Sequence, residues 1–225
     1  MQIAILLYER FTALDAIGPY EVLSRLPGAE LAFVARQRGE VHTDNGMLTI
    51  VAERSLDEMR SPEIVLVPGG PGEVGARAGS EVLEWLRAAH ETTTWTTSVC
   101  TGSLILGAAG LLGGKRATSH WLALEALRGL GADAVSERVV FDGKIVTAAG
   151  VSAGIDMALA LAARIAGEEV AQAIQLGTEY DPQPPFDAGS PEKAPAEVVA
   201  LLRGRSRFRD EEVASARERS RSAAS

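Results

Sequence analysis

The 225-residue chain is short of cysteine, of histidine and of positive charge. It carries a single cysteine. That excludes an internal disulfide framework and fits a reducing, cytoplasmic setting. Three histidines, scattered along the chain, leave a zinc site without a ligand set. Lysine and arginine number 22 against 30 acidic residues, a net charge of −8, which argues against general binding to nucleic acid or to an anionic membrane surface. No apolar run is long enough to span a bilayer. Met1 to Tyr8 is too short for a signal-peptide core and lacks a basic flank. What the chain does have is 46% hydrophobic residues, ample for one large domain with a real core.

The apolar residues fall into short strands alternating with helices. Ile3 to Tyr8 is a nearly unbroken apolar run, as in a strand buried on both faces of a parallel sheet. A helix follows to about Arg25, with Asp15 a candidate N-cap. Leu31 to Ala35 reads as a second strand, and Val41 to Ala52 as a hairpin turning at Asp44-Asn45-Gly46, with His42 on its surface. Ile64 to Val67 is a buried strand that ends in Pro68-Gly69-Gly70-Pro71-Gly72. Gly70, Gly72 and Gly75 fit a dinucleotide fingerprint, but the next strand ends at Cys100 rather than at a ribose-binding acid, so that reading is rejected. Glu81 to Glu91 is an amphipathic helix with His90 exposed near its end. A helix beyond Trp121 runs to about Arg128, and Trp121 reads as core. Val135 to Val140 and Lys144 to Thr147 are strands joined through Phe141-Asp142-Gly143. Ala148 to Gly154 is a small-residue loop, and Ser152 caps a helix from Ile155 to Ala166. Another helix covers Glu168 to Gly177. Tyr180 to Pro195 is extended surface chain, and a helix near Glu197 to Leu202 packs on the body. From Arg203 onward the composition reads as a charged helix or tail, which places the domain at residues 1–202 and the tail at 203–225. The pattern predicts an α/β fold: a doubly wound, mostly parallel sheet with helices on both faces.

The lone cysteine occupies a telling place. Thr94 to Val99 is a β-branched strand, and Leu104 to Ala109 is a compact apolar helix, so Cys100 sits where one turns directly into the other. Gly102 relieves the crowding of that turn. A helix N-terminus offers free N–H groups and a partial positive charge, both of which favour a thiolate. This is the layout of a nucleophile elbow with cysteine in place of serine. Asp15 follows the first strand, and Gly69 and Gly70 follow Ile64 to Val67. In a doubly wound sheet these strand ends share one edge, so a carboxyl, a glycine-lined amide pocket and a nucleophile converge.

At these residues the sequence resembles the ThiJ/PfpI superfamily, with its glutamine-amidotransferase-like α/β fold. The resemblance runs from Met1 to about Leu202. It rests on Leu14-Asp15-x-x-Gly18-Pro19, Pro68-Gly69-Gly70, Ser98-Val99-Cys100-Thr101-Gly102-Ser103, Gly114-Lys115-Arg116-Ala117-Thr118, His120-Trp121, Ala153-Gly154-Ile155-Asp156, and Glu179-Tyr180-Asp181-Pro182-x-Pro184-Pro185-Phe186. The first four also occur in sensor domains of AraC-type regulators. The last, followed by Ala188-Gly189-Ser190-Pro191, is similar to the isocyanide-hydratase family within that superfamily.

The resemblance implies a Cys100 nucleophile paired with the Asp15 carboxyl, Thr101 assisting beside the thiolate, and substrate lined by backbone at Gly69, Gly70, Gly150 and Val151. It implies a homodimer and chemistry that needs no metal or organic cofactor. His120 reads as structural, since a glutaminase-type triad wants its histidine well downstream of the nucleophile. One nucleophile and one proton shuttle suit the addition of water to an isocyanide through a thioimidate on Cys100. Burial beside the sulfur should raise the pKa of Asp15. Three other readings stand beside this one: a ligand-sensing regulator domain, a cysteine redox sensor, and a dicarbonyl deglycase or glyoxalase. About twenty residues follow the last predicted helix, too few for a helix-turn-helix unit.

Overall fold

A computed structural model describes residues 1–208. In chain order it contains β1 (Gln2–Leu6), α1 (Ala13–Leu23), β2 (Glu30–Ala35), β3 (Gly39–His42), β4 (Thr49–Ala52), β5 (Arg54–Ser55), β6 (Ile64–Val67), α2 (Glu73–Ala78), α3 (Ser80–Thr92) and β7 (Trp95–Val99). There follow α4 (Gly102–Ala108), β8 (Arg116–Ala117), α5 (Leu124–Gly129), β9 (Asp133–Ala134), β10 (Val139–Asp142), β11 (Ile145–Ala148), α6 (Ala153–Ala166), α7 (Glu168–Gly177) and α8 (Ala196–Arg205).

Seven strands form one sheet in the order β10-β11-β7-β6-β1-β2-β5. Every pairing is parallel except β10 with β11. Parallel strands are covered on both faces, which is why β1 and β6 are continuous apolar runs. Alternation then divides their side chains. Ala4, Leu6, Val65 and Val67 face a core shared with Leu86, Leu104 and Ile105 from α3 and α4. Ile3, Ile5, Ile64 and Leu66 face another core shared with Val22, Met157 and Leu161 from α1 and α6. Each such leucine or isoleucine contributes about 1.5–3 kcal/mol on full burial, so the two cores dominate folding. In α3 the buried residues are Val82, Trp85, Leu86 and Ala89, the spacing of one helical face. Trp85 also donates its indole N–H to the Met59 carbonyl at 2.7 Å.

The strands and helices read from the sequence are present, with local corrections. Asp15 is not a cap: Thr12 holds the N-cap position of α1, and Asp15 lies buried in its first turn. The strand expected over Val135 to Val140 lies at β10 instead, so Phe141 and Asp142 pair with Val146 and Ile145 rather than forming the turn. Ser152 holds the N-cap position of α6 but makes no side-chain cap bond; its hydroxyl accepts a hydrogen bond from Arg138 at 3.3 Å. His90 is half-buried and bonded through Nδ1 to Thr96 Oγ1 at 2.8 Å. Trp121 is half-buried, with the Arg203 guanidinium 5.7 Å from its ring. α8 buries none of its residues. Phe208, just beyond it, joins the α3–α4 core; most of the expected tail, residues 209–225, lies outside the described residues. Among the described residues, no helix is long and apolar enough to cross a membrane.

Candidate active site

β1, β6 and β7 are adjacent in the sheet, so their carboxyl ends open side by side. From them come Asp15 in the first turn of α1, the Pro68–Gly72 loop, and Cys100. The sheet order alone brings together residues up to 85 positions apart in sequence, at the edge where open α/β sheets carry their sites.

Cys100 has φ of 57°, the left-handed region that a side chain rarely adopts. Four bonds hold it there. Its N–H donates to the carbonyls of Ala148 and Ala149, each at 3.0 Å. Its own carbonyl accepts from the hydroxyls of Ser103 at 3.2 Å and Ser119 at 3.1 Å. Gly102 makes the turn sterically possible, since a Cβ there would stand 2.1 Å from the Val67 carbonyl oxygen. The strand-to-helix elbow is therefore present and locked from several sides.

The thiol is 6% exposed and the Asp15 side chain fully buried. Asp15 Oδ2 accepts the Gly69 N–H at 2.8 Å, whereas Oδ1 is buried without a partner. Thr101 Oγ1 accepts the Gly70 N–H at 2.9 Å. Gly69 has no room for a side chain: a Cβ would lie 2.5 Å from Thr101 N and 2.9 Å from Asp15 Oδ2. The Asp15 carboxyl and the backbone N–H groups of Thr101 and Val151 act electrostatically on the Cys100 sulfur. Val151 reaches it with a strained φ of 32°. Gly150 lies against the His120 ring, where a Cβ would come 2.7 Å from Cδ2. His120 accepts the Leu122 N–H through Nδ1 at 3.3 Å, capping a short helical turn in keeping with a structural role.

Burial pushes the Asp15 carboxyl up from 3.8 to about 7, opposed by its bond to the Gly69 N–H and by its contact with the Cys100 thiol. The expected rise is present, and desolvation is its cause. The Cys100 thiol moves against expectation. Burial, then the Asp15 charge, push its pKa well up, and the bonds from the Thr101 and Val151 amides only partly offset this. α4 spans just 7 residues, and an enclosed sulfur loses more from missing water than it gains from so short a helix. The two groups thus hold their protons together. Transfer of the thiol proton to the Asp15 carboxylate leaves a thiolate faced by two amides and a neutral acid.

Two neighbours escaped the sequence reading. Tyr8 donates its hydroxyl to the Pro68 carbonyl at 2.8 Å, and burial together with Asp15, Cys100 and Glu73 raises its pKa. Glu73 is fully buried, paired with Arg77 at 2.8 Å and Arg207 at 3.1 Å. The apolar run ending in Tyr8 masked the first. For the second, nothing short of the fold signals that a glutamate after Gly72 turns inward. Among the described residues, no group of three or more His, Cys, Asp or Glu side chains is arranged to hold a metal ion.

The chain is similar in sequence and in fold to known proteins. The DJ-1/PfpI family profile matches residues 1–164. An isonitrile hydratase from Pseudomonas putida is 42% identical over 205 residues, covering 91% of this chain and 90% of its own. A crystal structure of a THiJ/PfpI family protein from Pseudomonas syringae superposes with a TM-score of 0.89 at 40% identity, over 93% of this chain and 88% of that one. The HTH-type transcriptional regulator CdhR of Pseudomonas aeruginosa is 31% identical over 144 residues, 63% of this chain but 42% of the regulator.

Proposed function

The chain belongs to the DJ-1/PfpI family, and from that premise we propose that it is a cysteine-dependent lyase that hydrates an isocyanide to an N-substituted formamide. The observation that carries this reading is the buried Cys100–Asp15 pair under the Gly69 and Gly70 amides. It is supported by 42% identity to an isonitrile hydratase along nearly that protein's whole length.

The chemistry follows from the parts. Asp15 takes the thiol proton, and the Cys100 thiolate attacks the slim terminal carbon of the isocyanide. The same carbon receives the proton back from Asp15, giving a thioimidate, R–N=CH–S–Cys. Water then adds to that carbon as Asp15 accepts one of its protons and the nitrogen gains one. Collapse breaks the C–S bond, expels the thiolate and releases R–NH–CHO. Atoms and electrons balance with no oxidant, metal or organic cofactor. Thr101 stands beside the sulfur and keeps the Gly70 amide in place, and Gly69, Gly70, Gly150 and Val151 line the substrate with backbone. A carboxyl with a pKa of about 7 is suited to both giving and taking that proton near neutrality.

The regulator reading has weaker support, since CdhR is 31% identical over 63% of this chain against 42% over 91% for the isonitrile hydratase. We also propose a cytoplasmic homodimer that acts on a small molecule and not on nucleic acid or membrane. Residues 181–189 are all exposed, with Phe186 at 77%, and Met47 on the β3–β4 connection is 89% exposed, apolar surface suited to a second copy. Sedimentation as a monomer at micromolar concentration would overturn the dimer. For the chemistry, acid quenching during turnover should give a mass gain equal to the isocyanide on the Cys100 peptide, and Cys100→Ser should fold yet be nearly inactive. No adduct, with formamide still produced by Cys100→Ser at a comparable rate, would remove covalent catalysis.

A further inference from the structure

The Pro68–Pro71 run owes its shape to bonds on its carbonyls. Pro68 accepts from the Tyr8 hydroxyl at 2.8 Å, and Gly69 from the Thr12 N–H at 2.8 Å. Those two peptide planes carry the N–H groups of Gly69 and Gly70, which are thereby turned toward Asp15 and Thr101. The next two planes are held both locally and from elsewhere: the Gly70 carbonyl accepts from the Glu73 N–H at 3.1 Å, and the Gly72 N–H donates to the Arg10 carbonyl at 3.2 Å. Arg207 donates to the Pro71 carbonyl at 2.9 Å and to the Gly70 carbonyl at 3.4 Å, and its guanidinium pairs with the fully buried Glu73 at 3.1 Å. Phe208, 6% exposed, anchors the segment in the core next door. The positive charge of Arg207 is felt by Tyr8 on one side of the site and by His120 on the other. By composition this stretch reads as a solvated tail; in the fold it lies against the catalytic loop.

We infer that Arg207 is a positioning residue for the site: the chain beyond α8 folds back, and its guanidinium, tied to Glu73, clamps the Gly70 and Pro71 carbonyls so that the Gly69 and Gly70 amides stay aimed at Asp15 and Thr101. Gly70 leaves the loop at φ of 138°, a conformation that the first two carbonyl bonds do not constrain by themselves. A planar fork with several donors suits two carbonyls and one carboxylate at once, which a lysine ammonium serves less well. Loss of Arg207 removes one cationic partner of Glu73 and two of the bonds on the distal end of the loop, leaving that end to the Glu73 and Gly72 N–H groups. The Gly70–Thr101 bond loosens first, and the Gly69–Asp15 bond follows.

The inference rests on the roles proposed for Cys100 and Asp15, and the test does not need the substrate. Cys100 is the only cysteine, so alkylation by iodoacetamide, followed by intact mass, reports on it alone. The rate is recorded across about pH 5 to 10 for the parent, Arg207→Gln, Arg207→Lys and the double variant Glu73→Gln/Arg207→Gln, all in the full chain. The titrating or charged groups around the pair are Tyr8, Asp44, Glu73 and Arg207. The Gly69 amide stabilises the anionic form of the pair, so its loosening should move the lower inflection of Arg207→Gln upward by about half a pH unit or more. Arg207→Lys should fall between this variant and the parent. The double variant removes both partners of the ion pair; it should regain thermal stability but keep the raised inflection. It carries the same test if Arg207→Gln does not fold. An inflection matching the parent's in Arg207→Gln overturns the inference, as does a double variant that recovers both stability and inflection, since the pair would then only neutralise a buried charge. If the protein fails to hydrate isocyanides, these titrations still decide the role of Arg207.

Discussion

Replacement of Asp15 by asparagine separates what this residue costs the fold from what it does for the chemistry. Its carboxyl is fully buried, with one oxygen on the Gly69 amide and the other unpartnered. Burial displaces its pKa from 3.8 to about 7. Between those values the unfolded chain has released the proton and the folded chain still holds it, so stability falls as pH rises. The contribution is fully present below about pH 4 and lost by the time pH passes about 7. At 1.36 kcal/mol per pH unit the displacement amounts to ~4 kcal/mol in all, of which ~3 kcal/mol falls between about pH 5 and about pH 8. Asparagine has nearly the same shape, accepts the Gly69 N–H and cannot ionise. Urea unfolding at those two pH values should therefore show the parent losing ~3 kcal/mol more than Asp15→Asn. The same variant should lose about a hundredfold or more in kcat/KM for hydration. Stability curves that run parallel in pH would refute the desolvation reasoning. A folded Asp15→Asn protein with near-parental turnover would remove Asp15 from the mechanism.

Other outcomes follow from the same geometry. Hydration by the parent should rise with pH through an inflection near 7, because below it both Cys100 and Asp15 are protonated and no base takes the thiol proton; a flat acid limb down to about pH 5 would contradict the pairing. Thr101→Val keeps the shape but leaves the buried Gly70 N–H unpaired, which should cost about 1–3 kcal/mol in denaturant unfolding and lower kcat/KM. An unchanged midpoint and rate would make that bond dispensable. Gly102→Ala puts a methyl 2.1 Å from the Val67 carbonyl oxygen, so a loss above about 3 kcal/mol or failure to fold is expected. A melting temperature within a few degrees of the parent's would mean that the elbow yields more readily than its packing implies.

Much of this protein could be read along the chain because the signals are local. The apolar runs Ile3–Leu7 and Ile64–Val67 can be satisfied only by a sheet covered on both faces, and Gly102 after a lone cysteine between strand and helix marks the elbow. Asp15, Gly69 and Cys100 were legible as a set because each follows a strand, and parallel strands with crossover helices bring such ends to one edge. Other features depend on which groups water is kept from, and no window of sequence holds that information. The same Asp15 is an ordinary helix-cap candidate by sequence and a proton-holding buried acid by structure. Cys100 looks activated by its helix, yet enclosure moves its thiol the other way, since desolvation depends on every segment packed around the sulfur. Glu73 and Arg207 lie 134 residues apart; along the chain the first carries no signal and the second reads as part of a charged helix or tail. Only the tertiary structure decides that the first is sealed inside and that the second comes back to join Arg77 in pairing with it, because a carboxylate kept from water is stabilised by cations held against it.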